Sequence, residues 1–148
     1  MIHENTFKKI EFNGAKGLIF LGDQILVYRR DLKTKKSPGC LDMIGGGRDG
    51  DESPFETFKR EVKEEVGLDI QASDIQFSCP FPSYDDPNMI SFFFVTKPLN
   101  YRKSDVKFGN EGTEWLTMSP QEFVNRPDAI ERQQIRVSDY LMGKLSVQ

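Results

Sequence analysis

Glu61, Glu64 and Glu65 stand at i, i+3 and i+4 in the chain. On a helix that spacing crowds their carboxylates onto one face, where they repel one another. A hard, oxygen-seeking cation relieves such repulsion, and Mg²⁺ takes near-octahedral oxygen ligands at about 2.0–2.1 Å. Just upstream, Gly46, Gly47 and Gly50 permit tight turns and a close approach of backbone to a ligand. Metal-binding acids beside a glycine-rich loop suit phosphate chemistry, in which the cation neutralises phosphate charge, orients a diphosphate and acidifies an attacking water. Arg60 can pair with Glu64 at i+4, or with Glu52 on the incoming segment, and so fix the carboxylate rotamers.

The helix that must carry these acids is the best defined element in the sequence. Ser53 caps it, Pro54 suits its first position, Glu56 completes a capping box, and Gly67 stops it after Val66. Phe55, Phe58, Val62 and Val66 recur at helical spacing and are expected to face the core. Strands are expected over residues 16–21 and 24–28, with Gly22-Asp23 as the hairpin turn, and over 75–79, 89–96 and 114–117. Residues 7–12 form a weaker strand candidate. The run Ile90-Ser91-Phe92-Phe93-Phe94-Val95 reads as a strand buried on both faces. Residues 46–52 read as loop. A short helix is expected from Ser119-Pro120, and a longer one over 128–142 with a stripe of Ile130, Ile135, Val137 and Leu141. Mixed strands with flanking helices point to a layered α/β (α+β) domain.

The chain has 148 residues, which fits one domain, and its twelve phenylalanines can fill a core of that size. A net charge of −3 argues against a coat for a nucleic acid polymer, which carries a basic excess, but leaves room for a small phosphorylated ligand. Cys40 and Cys79 match no metal-ligand spacing and read as thiols of a reducing compartment. The first residues hold no apolar signal core, and the longest strongly apolar stretch, residues 92–95, is too short to span a bilayer. The expected location is the cytoplasm, with no membrane partner.

The spacing around the acids is specific. It runs Gly46, five residues, Glu52, seven residues, Arg60-Glu61, the aliphatic Val62, one residue, Glu64-Glu65, one residue, Gly67 and the aliphatic Leu68. This resembles the Nudix box at every defining position. Seven of those positions demand a single residue type, each met by chance about one time in twenty. The alternative, a solvated charged face, does not account for that pattern. The resemblance implies an α/β/α sandwich with a central mixed β-sheet and a loop-helix-loop catalytic motif.

Carried over by residue, it also implies that Glu61, Glu64 and Glu65 bind metal, with the backbone carbonyl of Gly46 as a further ligand. Arg60 and Glu52 then support the helix and loop. Members of the family often add an acid from a later loop as ligand or general base. Glu111 and Glu114 both offer this here, and Glu111, in a glycine-flanked loop, is preferred. The catalytic set is thus Glu61, Glu64, Glu111 and Arg60. The implied cofactor is Mg²⁺, with Mn²⁺ as a substitute, and homodimers are common in the resembled family.

Arg29 and Arg30, followed by Lys33, Lys35 and Lys36, are candidates for contacting phosphate, with Arg29 preferred at its strand end. Tyr84 is a candidate for stacking on a base. Tyr84 resembles the mark of dinucleoside-polyphosphate hydrolases and Pro82 that of ADP-ribose hydrolases, so the substrate stays open. His3, the only histidine, lies near the terminus and is not expected to act. The reading is a pyrophosphohydrolase that cuts a nucleoside diphosphate linked to X into the monophosphate and phospho-X. A non-catalytic nucleotide-binding module and an isoprenoid diphosphate isomerase are the alternatives.

Overall fold

The computed structural model describes residues 11–84 and 86–145. Among these residues, seven strands and three α-helices follow the order β1 (Phe12–Leu18), β2 (Phe20–Leu21), β3 (Gln24–Arg30), β4 (Leu41–Gly47), α1 (Pro54–Val66), β5 (Ile75–Pro82), β6 (Ile90–Thr96), β7 (Gly112–Met118), α2 (Pro120–Asn125) and α3 (Glu131–Leu141). The strands form one sheet in the order β2-β3-β4-β1-β6-β5, and β7 pairs with β3. Only β1 and β6 run parallel; the other pairs are antiparallel, so the sheet is mixed.

Side chains alternate across a strand, and here the alternation sorts them into two cores. Phe92 and Phe94 of β6 enter one cluster, while Phe93 and Val95 enter the other. Leu26 and Tyr28 of β3 divide from Ile25 and Val27 in the same way. Helix α1 closes the first core with Phe58, Val62 and Val66, and Phe58 stacks on Phe94 at a centroid distance of 5.0 Å. Phe123 of α2 and Val137 of α3 close the second. Each fully buried side chain of this size contributes about 1.5–3 kcal/mol on leaving water. The expected α/β/α sandwich with a central mixed sheet is therefore the observed one.

The expectations for α1 hold in detail. Ser53 Oγ accepts from the Glu56 amide at 3.2 Å, and the Glu56 carboxylate accepts from the Ser53 amide at 2.8 Å. Gly67 caps the other end in the left-handed region, with its amide on the Lys63 carbonyl. Other expectations need correction. Gly46 and Gly47 are not loop but, with Gly45, the end of β4, a strand the sequence reading missed, paired with Gly14–Lys16 of β1. The first long strand begins at Phe12 rather than at residue 16 and ends at Leu18, only Phe20–Leu21 pairs with β3 across the Gly22-Asp23 turn, and β5 continues through Pro82 rather than ending at residue 79. Helix α3 starts at Glu131, and the stripe drawn for it is half wrong: Ile135 and Leu141 are exposed, whereas Gln133 is buried. The weak strand over 7–12 falls, up to residue 10, outside the described residues, as does His3.

Candidate active site

Helix α1 lies against β1 and β4 with its acidic side toward the ends of those strands. Glu61 and Glu65 are both buried, at 6% and 2% exposure. Gly46 of β4 is what makes room for Glu61. A Cβ at Gly46 would sit 2.6 Å from the Glu61 carboxyl carbon, so any side chain there would displace the acid.

The third acid arrives from a distant part of the chain. The segment before β7 is tied to the carbonyl end of α1: the Lys107 amide donates to the Val66 carbonyl at 2.9 Å, and the Gly109 amide to the Glu65 carbonyl at 2.8 Å. The approach at Gly109 is so close that a Cβ would lie 2.5 Å from the Glu64 carbonyl oxygen. Two residues on, Glu111 joins the site, and carboxylate oxygens of Glu61, Glu65 and Glu111 all lie within 4.8 Å of one another.

Glu61 Oε2 and both oxygens of Glu65 are buried and receive no hydrogen bond from any other group. Buried carboxylate oxygens without donors are rare, because desolvation costs several kcal/mol per ion. The arrangement suits a divalent cation, which would supply the missing positive charge. The donor set is all oxygen, the preference of hard cations such as Mg²⁺ and Mn²⁺.

Without a cation the site holds a proton instead. Burial pushes the Glu65 carboxyl up to about 10, against the pull of Lys16 and with the help of Glu111 and Glu61. Burial also raises Glu61. A carboxyl whose folded pKa lies above its unfolded one stabilises the fold most below the unfolded value, and this stability is lost as pH rises through the folded value. The metal-free protein is therefore expected to lose melting temperature from pH 6 to pH 9. Cation affinity is expected to rise over the same window by up to about tenfold per pH unit, the limit for displacing one proton. Calorimetric titration in buffers of different ionisation enthalpy checks this by counting the protons released per ion. A pH-independent affinity would mean that Glu65 is already ionised.

Arg60 is the organiser. Its guanidinium donates to both oxygens of Glu52 at 2.7 and 3.1 Å, to Glu61 Oε1 and Glu64 Oε2 at 3.1 Å, and to the Gly47 carbonyl at 2.7 Å. Both pairings expected for Arg60 thus occur together. Glu64, however, is not brought into the buried trio: it is 55% exposed and stands at the rim on Arg60.

Glu61 and Glu111 border a cavity of about 270 Å³. Its basic groups include Lys16 and Arg30, both held by the fully buried Asp42: Lys16 Nζ lies 2.9 Å and Arg30 Nη1 3.3 Å from Asp42 Oδ2. Lys16 also donates to the Gly45 carbonyl at 3.2 Å. Burial opposes the Lys16 charge, but Asp42, Tyr28 and Glu65 outweigh it and hold the ammonium above its ordinary range.

Of the sequence candidates, Arg30 and Tyr84 line the cavity. Arg29 does not. Its guanidinium is engaged by Glu114 at 2.6 Å, by Asp128 at 3.2 Å and by the Gly39 carbonyl at 2.9 Å. Of the two arginines it is thus Arg30, and not the preferred Arg29, that borders the cavity. The same ion pair takes up Glu114, since Arg29 and Glu114 are register partners in β3 and β7. The sequence reading passed over Lys16, Arg132 and Arg136, which also line the cavity. The i, i+4 repeat of Arg132 and Arg136 was visible, but α3 was read for its apolar stripe alone.

Residues 13–140 match the family model of the NUDIX domain. Among curated proteins, none matches the chain. In fold the chain is similar to the MutT protein of Methanosarcina mazei Go1, at 22% identity over 91% of this chain and 96% of that one, with a TM-score of 0.74. It is similar also to the MutT NUDIX hydrolase of Burkholderia pseudomallei, at 15% identity over 84% of this chain and 94% of that one, with a TM-score of 0.64. A third is the bifunctional NMN adenylyltransferase/ADP ribose pyrophosphatase of Francisella tularensis, at 16% identity over 93% of this chain and 46% of that one, with a TM-score of 0.66. At such identities the likeness is one of fold, and the family match carries the assignment. It runs from β1 through the acidic helix and the Glu111 segment into α3, so the chain belongs to the Nudix family.

Proposed function

We propose that this Nudix hydrolase is a Mg²⁺-dependent pyrophosphohydrolase that cuts a nucleoside diphosphate linked to X into a nucleoside monophosphate and phospho-X. The observation that carries the reading is the trio of Glu61, Glu65 and Glu111 beside a cavity with basic walls, three of its buried oxygens lacking any donor. Those three acids hold the cation, with the Gly46 carbonyl as a further ligand and Glu64 adding an oxygen from the rim. When bound, the cation supplies Lewis-acid stabilisation of phosphoryl charge and acidifies water.

The protein's own groups do the rest. Arg60 locks the rotamers of Glu61 and Glu64. Lys16 and Arg30 present positive charge to the phosphates while Asp42 fixes their positions. Glu111, the exposed acid of the three, takes a proton from the attacking water. The water oxygen forms the new bond to phosphorus, the anhydride P–O bond breaks, and the electron pair leaves on the departing phosphate.

Release of monophosphate from a panel of nucleoside triphosphates, nucleotide sugars and dinucleoside polyphosphates, with and without Mg²⁺, tests the reading. Turnover of at least one substrate that vanishes on chelation is expected. Tight nucleotide binding with no turnover of any panel member would instead make the chain a nucleotide-binding module.

We further propose that the chain works as a single Nudix domain in the cytoplasm and acts on small nucleotides. No helix among the described residues is long and apolar enough to cross a membrane.

A further inference from the structure

The cavity has a second charged wall that the proposed reaction leaves unused. Arg132 and Arg136 stand one turn apart on α3, and both line it. Each guanidinium lies over an aromatic ring: Arg132 is 3.8 Å from the centroid of Tyr84, and Arg136 is 4.6 Å from that of Phe81. Stacking of this kind fixes the plane of a guanidinium and leaves its N–H edge available to an anion. Arg136 is further held by the Pro82 carbonyl at 3.2 Å and by Gln133 Oε1 at 3.5 Å.

Neither arginine has a carboxylate partner among the described residues, whereas Arg29, Arg30, Arg60 and Arg126 each have at least one. Two like charges one turn apart repel, and burial together with Arg132 pulls Arg136 below its ordinary range. The cavity thus holds two immobilised cationic groups with no carboxylate among the described residues in contact with them. Lys16 and Arg30, on the same cavity, share the single carboxylate of Asp42.

We propose that Arg132 and Arg136 form an anion subsite for a further phosphate of the substrate, one beyond the anhydride that is cut. The preferred X then carries phosphate, so that at least three phosphates run in series, in place of a neutral sugar. This deepens the pyrophosphohydrolase reading and rests on it, but the first test below needs neither metal nor turnover.

Inorganic tripolyphosphate titrated calorimetrically into the metal-free protein at low salt probes the subsite without metal or turnover. Binding by the parent protein is expected. Arg132→Gln and Arg136→Gln should each weaken it by about tenfold, the scale of one charge-assisted hydrogen bond pair. Arg136→Lys, which keeps the charge, should lose only a few-fold, and this separates charge from packing.

In Mg²⁺, the same Gln variants should raise KM for a nucleoside triphosphate about tenfold with little change in kcat. They should leave KM for a nucleoside diphosphate linked to a neutral sugar unchanged. Equal tripolyphosphate affinity in parent and variants, or no metal-free binding by the parent, would overturn the subsite. So would an equal rise in KM for both substrates, which would assign the wall to the nucleoside. If no substrate is hydrolysed, the pyrophosphohydrolase reading fails, and the metal-free titration still decides the subsite.

Discussion

Replacing Glu65 by Gln is expected to lower turnover by roughly 10²–10³-fold or more and to weaken cation binding, while leaving the metal-free fold as stable as before. The kinetic loss follows from removing a ligand of the group that stabilises phosphoryl charge. The unchanged stability follows from burial. At neutral pH the metal-free carboxyl already carries a proton, so a neutral amide of the same shape replaces a neutral acid. Above pH 8 the variant should melt no lower than the parent, because it has no buried charge to develop. Stopped turnover with an unchanged melting curve in chelator is the combination to look for. Undiminished turnover and cation affinity would remove Glu65 from the site, and with it the main support for the proposed reaction.

The second large effect concerns the strand that the sequence reading missed. Gly45 has φ 140°, and a Cβ there would lie 2.1 Å from the Ala15 carbonyl oxygen and 2.5 Å from Lys16 Cα. Both are backbone atoms of β1, so no side-chain rotation relieves the clash, and β1 and β4 would have to part. Gly45→Ala should therefore cost more than about 4 kcal/mol, in the range reserved for identifiable structural faults. Gly22→Ala is the control. It too has positive φ, at 65°, but open space around its Cβ position, and it should cost only about 1–2 kcal/mol. Urea denaturation compares the two. Equal midpoints would show that φ alone, and not the approach of the strands, restricts position 45.

The elements differ in how far sequence revealed them, for physical reasons. Helix α1 was legible because its signals are local: the Ser53/Glu56 box, Pro54, Gly67 and the apolar spacing all lie within fifteen residues. Strand β4 was not, because glycine has little strand preference and its three glycines are there for what β1 and Glu61 need, a tertiary demand. Arg29 lies off the cavity for a similar reason. Sequence places it at a strand end, but only the β3–β7 register shows Glu114 opposite it. On β7's approach, the preference for Glu111 rested on its glycine neighbours, and the observed site uses Gly109 to dock that segment on α1. For Arg132 and Arg136, a charged helix face looks the same in sequence whether it meets solvent or a cavity.

Glu61 and Glu111 lie fifty positions apart in the chain. An ion gripped by both, as proposed, is a removable staple across that span, joining the first core's helix to the edge strand β7. Binding only to the folded form, such an ion adds about 2.7 kcal/mol of stability at a concentration a hundred times its dissociation constant. Metal starvation would then do more than idle the enzyme: it would loosen the attachment of β7 and leave the chain more open to proteolysis.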